Sequence, residues 1–201
     1  MYRRKDAFYL RAKAAGYRSR AAFKLLQLAQ SERLFRRGDC VVDLGAWPGG
    51  WLQVASQQVG AEGKVIGVDL QSVEPLPDRQ IAIVTGNIND TTTRDRIAQL
   101  CGCTADVVLS DLAPKLSGVH SRDQMQAQVL ADVVLDFAIR ILRPGGKLVI
   151  KLFMSDDLPV YVARLRQCFE RVRTTRPDAT RKRSAELYAI AIGFKRAATS
   201  I

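Results

Sequence analysis

A hydrophobic strand leads into a glycine-rich turn in the segment Val41-Val42-Asp43-Leu44-Gly45-Ala46-Trp47-Pro48-Gly49-Gly50-Trp51. The three glycines lack the Cβ atoms that would keep a ligand away from the backbone. A helix predicted over residues 50–58 would direct its free N–H groups back at the turn. Because the glycines are spaced G-x-x-x-G-G and not G-x-G-x-x-G, a pyrophosphate is a poor fit. The segment therefore indicates a nucleotide pocket of another kind, and a strand-to-helix turn without a ligand is the alternative.

Polar side chains follow the other predicted strands at the points where these strands end. Asp69 ends a strand about 20 residues after the glycine turn, where doubly wound folds place the carboxylate that binds ribose hydroxyls. Asn87 and Asp111 follow two later strands. Because the carboxyl ends of parallel strands line the ligand crevice, we expect these side chains to face one site. We predict Asp69 as the ribose ligand, and a strand-end carboxylate that caps the next turn is the alternative.

Strands and helices alternate along the chain. The predicted strands span residues 40–44, 64–68, 80–84, 106–110, 146–152, 170–174 and 187–194. The predicted helices span residues 19–29, 50–58, 90–101, 122–142 and 158–169, with Ser19 as the N-cap of the first. This order predicts an α/β fold with a mostly parallel seven-stranded sheet and helices on both faces. The last strand is predicted to run antiparallel and to close the sheet as part of a hairpin.

Length and composition indicate one domain of ordinary size. The 201 residues are 47% hydrophobic, and we divide them into a basic N-terminal arm over 1–18 and a single domain over 19–201. No apolar run approaches the roughly 20 residues of a membrane span, and no signal peptide follows the basic start. The cysteines lack a metal-ligand spacing; they are Cys40, Cys101, Cys103 and Cys168. We therefore expect a cytoplasmic protein with reduced thiols, no membrane partner and no metal.

The net charge of +11 is concentrated near the two ends of the chain. Residues 1–24 hold eight Lys and Arg and one acid, and residues 164–186 hold eight Lys and Arg and three acids. We expect both segments to border one anion-binding surface, while solvated basic faces are the alternative. Aromatic rings in the N-terminal segment could stack on bases or anchor the arm. The pattern favours an anionic partner with bases, such as a nucleic acid.

Few residues are candidates for chemistry. His120 is the only histidine, and we interpret it as structural or surface, so a histidine-based triad is not expected. Four polar residues stand at helix or strand positions that suit a site, namely Lys24, Asp111, Lys151 and Glu186. A lysine that is partly desolvated beside a second cation can take up a proton near neutral pH, and nearby carboxylates fix its position. Each residue also has a structural interpretation, as a snorkelling lysine or a capping acid.

The chain resembles the FtsJ/RrmJ family in several motifs that occur in the expected order between about Ser19 and Phe194. They lie at residues 17–24, 42–51, 110–118, 151–153 and 183–188. The resemblance implies a Rossmann-like methyltransferase fold and an S-adenosylmethionine-dependent RNA ribose 2′-O-methyltransferase. It also implies a Lys-Asp-Lys-Glu tetrad around the methyl-transfer site, and the matching positions are Lys24, Asp111, Lys151 and Glu186.

The resemblance also implies roles for these residues. Lys151 would accept or direct the proton of the ribose hydroxyl, and Lys24 and Glu186 would orient Lys151 and the ribose. Asp111 would steer Lys151 and lie near the cofactor. S-adenosylmethionine would be bound by Asp43, Gly45, Gly49, Gly50, Trp51, Asp69, Asn87 and Asp111. Two positions depart from the family pattern: Asn87 replaces the acid that usually holds the adenine amino group, and Trp47 replaces a small residue. We expect these changes to affect cofactor affinity more than activity.

The expected substrate is a uridine of 23S rRNA in the large ribosomal subunit, as in the bacterial branch of the family. Alternatives within the family are tRNA and mRNA caps. Two other classes remain open, a non-enzymatic RNA-binding assembly factor and an NAD-dependent oxidoreductase. The intact tetrad disfavours the first, and the glycine spacing and basic ends disfavour the second. We expect a monomer that binds RNA and not DNA.

Overall fold

A computed structural model describes residues 7–114, 117–181 and 184–195. Its helices are α1 (Ala7–Ala14), α2 (Ala22–Glu32), α3 (Gly50–Val59), α4 (Thr91–Cys101), α5 (His120–Ile141) and α6 (Leu158–Cys168). Its strands are β1 (Cys40–Leu44), β2 (Lys64–Asp69), β3 (Ile81–Thr85), β4 (Ala105–Ser110), β5 (Leu142–Phe153), β6 (Phe169–Thr175) and β7 (Glu186–Phe194). The predicted order of elements is confirmed from α2 onward.

The seven strands form one sheet in the order β3-β2-β1-β4-β5-β7-β6. Strands β1 to β5 pair in parallel. Strand β7 lies between β5 and β6 and is antiparallel to both, which confirms the predicted antiparallel last strand. The strand order reverses between β1 and β4, so a crevice is expected at the carboxyl ends of these two strands.

Helices cover both faces of the sheet, as predicted. On one face, α4, α5 and α6 contribute Ile97, Phe137 and Leu165 to a buried cluster with the strands. On the other face, α2 and α3 contribute Leu25 and Leu52 to a second cluster. Because apolar side chains leave water on both faces, the central strands are apolar almost throughout, and all five residues of β1 are buried.

The N-terminal part of the chain differs from the prediction in two respects. Helix α2 begins at Ala22 and not at Ser19, and Ala21 occupies the N-cap position without a side-chain hydrogen bond. The described part of the predicted basic arm contains α1, whose Phe8 ring lies 5.9 Å from the Phe23 ring of α2. Residues 1–6 of the arm lie outside the described residues.

Strand β5 also begins four residues earlier than predicted, at Leu142. Its pairing with β4 shifts between Ala105, opposite Leu142, and Val107, opposite Lys147. The extra residues include Gly145, whose φ of +77° suits glycine in such an irregularity.

Among the described residues, no helix has the length and apolar character needed to cross a membrane. The same ranges contain no group of three or more His, Cys, Asp or Glu residues arranged to hold a metal ion.

The close packing of α3 on β2 can be tested at Gly67. A Cβ atom at this position would lie 2.8 and 2.9 Å from the two Cδ atoms of Leu52. We expect Gly67→Ala to lower the free energy of unfolding by about 1–3 kcal/mol through overpacking, as measured by urea denaturation. In a Leu52→Val background, which has no Cδ atoms, the same substitution should be less damaging. Strictly additive effects in this double-mutant cycle would contradict the proposed contact.

Candidate active site

The glycine turn folds over the end of β2. The backbone N–H groups of Gly45 and Ala46 both donate to the carbonyl oxygen of Val68, at 2.9 and 3.1 Å. Gly45 has a φ of +84°, and a Cβ atom there would lie 2.8 Å from Leu112 Cδ2. The first glycine is therefore required both by its backbone conformation and by the close approach of the segment after β4.

The second and third glycines make room for the chain itself. Gly49 has a φ of +111°, and a Cβ atom there would lie 3.1 Å from Arg18 Nη1. A Cβ atom on Gly50 would collide with Ser19 Oγ. We expected these glycines to admit a ligand, but the space they leave is occupied by the segment that precedes α2. They support the turn without lining the crevice themselves.

A crevice opens where the order of the strands reverses. It is lined by Leu44, Gly45, Val68, Asp69, Leu70, Gly86, Asn87, Ile88, Asn89, Leu112, Leu130 and Val133. Most of these side chains are apolar, and the polar ones come from strand ends, an arrangement typical of small-molecule sites. Of the predicted cofactor residues, Gly45, Asp69 and Asn87 lie in this lining.

The Asp69 carboxylate is held rigidly at the crevice wall. Its Oδ2 accepts a hydrogen bond from Trp47 N at 2.9 Å, and its Oδ1 accepts one from Gln71 N at 2.8 Å. Each oxygen keeps a further lone pair, so the carboxylate can still accept hydrogen bonds from two hydroxyl groups. This geometry suits the predicted role as a ribose ligand.

Asn87 uses its amide oxygen locally. Asn87 Oδ1 accepts a hydrogen bond from Asn89 N at 3.0 Å, which closes a turn beside the crevice. The second lone pair of the same oxygen is available to an adenine amino group, as the prediction requires. The loop conformation therefore fits an acid or an amide at this position.

Trp51 is placed differently from the other predicted cofactor residues. Its side chain is buried, its Nε1 donates to Ala21 O at 2.8 Å, and its ring centroid lies 5.9 Å from that of Tyr188. The indole thus joins α3 to the start of α2 and is not in the crevice lining.

Asp43 is an orphaned carboxylate near the carboxyl end of β1. It is fully buried, and neither of its oxygens has a hydrogen-bond partner among the described residues. Burial raises the pKa of Asp43 well above its ordinary value, and the nearby carboxylates Asp111 and Asp69 raise it further. Asp43 is not in the crevice lining, but its neighbour Leu44 is, and a buried unpaired carboxyl group at this place favours a ligand that brings a donor or a positive charge.

The predicted tetrad is brought together at the carboxyl ends of β4 and β5. Lys24 Nζ lies 2.5 Å from Glu186 Oε1, which forms one ion pair. Lys151 Nζ lies 3.1 Å from Asp111 Oδ1 and donates to the Asp111 backbone oxygen at 2.5 Å. All four side chains are mostly buried, with exposed fractions between 7% and 19%. Two lysines and two carboxylates thus form two adjacent, partly desolvated pairs.

Tyr188 connects the two ion pairs, and the sequence analysis missed it. Its hydroxyl oxygen lies 2.6 Å from Asp111 Oδ1, 3.2 Å from Glu186 Oε1 and 3.3 Å from Lys24 Nζ. Its single proton is best placed on the shorter contact to Asp111, while the Lys24 ammonium donates to the oxygen. Burial and the two carboxylates raise the pKa of Tyr188, so the phenol stays protonated. The signal was its position two residues after Glu186, on the same face of a strand.

The orphaned carboxylate gives a prediction about stability. A carboxyl group whose pKa is raised by folding destabilises the fold as the pH rises above its unfolded value of about 3.9. We therefore expect Asp43→Asn to raise the melting temperature of the ligand-free protein at pH 7 by roughly 3–10 °C, and to lose this advantage near pH 4. Thermal denaturation of both proteins at several pH values measures this difference in melting temperature.

The matched control is Asp106→Asn. The Asp106 carboxylate is paired with Arg143 and accepts a hydrogen bond from Cys40 N, so its neutralisation should lower the melting temperature. A pH-independent loss of stability in Asp43→Asn would show that the carboxylate has a partner.

Comparison with known proteins identifies the family. The sequence profile of the FtsJ-like methyltransferase family matches residues 17–194. A protein from Methanobrevibacter smithii named ribosomal RNA large subunit methyltransferase E is 40% identical over 195 residues, 97% of this chain and 93% of its own. A protein of the same name from Alkalilimnicola ehrlichii is 45% identical over 190 residues, 94% of this chain and 90% of its own.

A solved structure from Plasmodium falciparum, assigned as a ribosomal RNA methyltransferase, has the same fold. It matches with a TM-score of 0.79 at 24% identity and covers 89% of this chain and 98% of its own. The match confirms the predicted Rossmann-like α/β architecture. Together, the profile match over most of the chain and the two close relatives show that the chain belongs to the FtsJ-like methyltransferase family.

Proposed function

We propose that this protein transfers a methyl group from S-adenosylmethionine to a ribose 2′-hydroxyl of RNA, at a uridine of 23S rRNA in the large ribosomal subunit. The observation that carries the proposal is the pair of lysine-carboxylate contacts, Lys24–Glu186 and Lys151–Asp111, joined by Tyr188. The two relatives described above, which are named for the large subunit rRNA, support this substrate.

The residues around the crevice fit S-adenosylmethionine. Asp69 has lone pairs for both ribose hydroxyls, and Asn87 has one for the adenine amino group. Leu112 and Leu130 supply apolar walls for the base. The buried carboxyl group of Asp43 has no hydrogen-bond partner among the residues that the structure describes, and the sulfonium or amino group of the cofactor would compensate its negative charge.

The mechanism follows from what each member of the tetrad can do. S-adenosylmethionine supplies a methyl group on a positively charged sulfur, which becomes neutral when the ribose oxygen takes the methyl group. Lys151, held by the Oδ1 and the backbone oxygen of Asp111, would accept or direct the proton that leaves the 2′-hydroxyl. Lys24 and Glu186, which are paired with each other, would orient Lys151 and the ribose. Because the site is largely buried, these charges act in a medium of low polarity.

The arrangement of basic residues supports an RNA substrate. Arg20, in the N-terminal basic segment, donates to the backbone oxygen of Ala179 in the loop before β7. Arg181 lies close enough to Arg20 to lower its pKa, after the larger effect of burial. The N-terminal basic segment and the loop before β7 therefore lie on the same side of the molecule, next to Lys24 and Glu186, as expected for a surface that receives a phosphate backbone.

A ribosomal substrate would place the reaction in the cytoplasm. We also propose that the chain acts as a monomer, with the basic arm over 1–18 and a single catalytic domain over 19–201.

The decisive test is methyl transfer to defined RNAs. Purified protein and the Lys151→Ala variant would be incubated with tritiated S-adenosylmethionine and, separately, 50S subunits, naked rRNA and tRNA. We expect labelled 2′-O-methyluridine in 23S rRNA with the wild type. Lys151→Ala should reduce turnover by about 10²-fold or more, because it removes the proton-directing group while the crevice is unchanged.

Binding measurements complete this test. Lys151→Ala should bind S-adenosylmethionine with nearly normal affinity in isothermal titration calorimetry, and Lys64→Ala, at the exposed start of β2, should be fully active. Near-normal turnover of Lys151→Ala would refute its role. Label in tRNA alone would correct the substrate, and normal RNA binding without any transfer would favour an assembly factor.

Tyr188→Phe tests the bridge between the ion pairs. The ring would still pack against Trp51, but Asp111 would lose a hydrogen bond of 2.6 Å. A hydrogen bond to a charged group contributes about 1.5–3 kcal/mol, so we expect kcat to fall about 10- to 100-fold with little change in the KM for RNA.

A buried tyrosine outside the site provides the control. The Tyr161 hydroxyl donates to Ala131 O at 2.6 Å, so Tyr161→Phe should lower the melting temperature and leave kcat unchanged. Equal kcat values for wild type and Tyr188→Phe would show that the phenol has no positioning role.

A further inference from the structure

The Arg18 side chain joins two loops beside the crevice. Its Nη1 donates to Pro48 O in the glycine turn at 3.3 Å and to Glu74 O at 2.6 Å. Its Nη2 donates to Pro75 O at 2.8 Å. A single guanidinium group thus satisfies three backbone carbonyls from segments that are distant in sequence. A planar fork of this kind matches fixed acceptors better than the single nitrogen of a lysine.

The backbone around Arg18 is held to the same helix that the glycine turn begins. Arg18 N donates to Gln53 Oε1 at 2.8 Å, and Gln53 Nε2 donates to Gly16 O at 2.9 Å. The absence of side chains at Gly49 and Gly50 lets Arg18 and its neighbour lie directly on the turn. The segment before α2 is therefore fixed to α3 by main-chain and side-chain contacts together.

These contacts connect the two halves of the proposed site. On one side, the turn is joined to Asp69 through Trp47 N. On the other side, the segment that carries Arg18 continues into the first turn of α2, which places Lys24 beside Glu186. The contact between Arg18 and the glycine turn therefore helps to fix the distance between the cofactor crevice and the Lys24–Glu186 ion pair.

We propose that Arg18 is a positioning residue that holds the glycine turn and the Lys24-bearing end of α2 in the register required for methyl transfer. The inference rests on the proposed function and adds a residue that makes no contact of its own with the tetrad. Arg18 belongs to the basic N-terminal segment, and the competing role for a residue of that segment is a contact with an RNA phosphate. A phosphate contact would need only the positive charge of the side chain, whereas binding three backbone carbonyls needs the planar, forked guanidinium group. Substitutions that keep or remove the charge therefore distinguish the two roles.

The test compares Arg18→Lys, which keeps the charge, with Arg18→Gln, which removes it. We expect both variants to lower kcat about 10- to 100-fold, because small displacements of reacting groups have effects of this size. The KM for RNA, its salt dependence and the affinity for S-adenosylmethionine should change by less than about threefold, since no binding group is lost. Arg143→Lys is the matched control, because Arg143 binds Asp106 and Pro144 O at the opposite end of the sheet.

A second measurement does not depend on catalysis. Hydrogen exchange of the backbone amides in residues 49–53 and 22–25 should become faster in both Arg18 variants and stay unchanged in Arg143→Lys. Unchanged exchange in the Arg18 variants would overturn the inference, whatever their activity.

Three kinetic outcomes separate the explanations. Normal kcat in Arg18→Lys, together with weaker RNA binding and a salt slope reduced by about 1 in Arg18→Gln, would show a phosphate contact instead. Normal kinetics in both variants would exclude any role in the reaction. An inactive wild type would count against the proposed function alone, and hydrogen exchange would still decide the structural role of Arg18.

Discussion

The antiparallel pairing of β7 with β5 is the constraint on which the site depends. Parallel strands bring only their carboxyl ends to the crevice, and β7 adds its amino end there because it runs the other way. Lys151 therefore pairs with Tyr188, and Phe153 with Glu186, so that residues 35 positions apart in the chain meet within two rungs of a ladder. If β7 ran parallel to β5, Glu186 would lie at the opposite end of the strands, away from the crevice, and could not pair with Lys24.

Charge balance explains why the site tolerates so many buried ionisable groups. An unpaired buried charge is strongly destabilising, whereas a paired and hydrogen-bonded one is close to neutral in its effect. Lys24 with Glu186 and Lys151 with Asp111 satisfy this condition, and the neutral phenol of Tyr188 adds a donor without a charge. Asp43 does not satisfy this condition, because neither of its carboxyl oxygens has a partner in the described part of the chain. The tetrad is thus balanced without a ligand, whereas the surroundings of Asp43 are not.

The sequence predicts the strands and the tetrad well because their signals are local or occur in motifs. Apolar runs located the strands to within a few residues, and the motif resemblance identified Lys24, Asp111, Lys151 and Glu186, which the structure brings together. The role of Tyr188 was not predictable, because it depends on a cross-strand contact with Asp111. The start of α2 was misplaced because Ser19 is a good capping residue by type, yet its side chain packs on Gly50.

The glycine spacing has a physical origin that the nucleotide interpretation did not contain. Gly45 is needed because the segment after β4 passes over the turn, while Gly49 and Gly50 are needed because the segment before α2 lies on it. Between these glycines, Trp47 carries no such restriction, and its large side chain is accepted because it remains about half exposed. The pattern G-x-x-x-G-G thus results from the close approach of two segments, the one after β4 and the one before α2, to the same turn. Gly45 lines the crevice together with Asp69 and Asn87, whereas Gly49 and Gly50 hold the turn against the segment before α2.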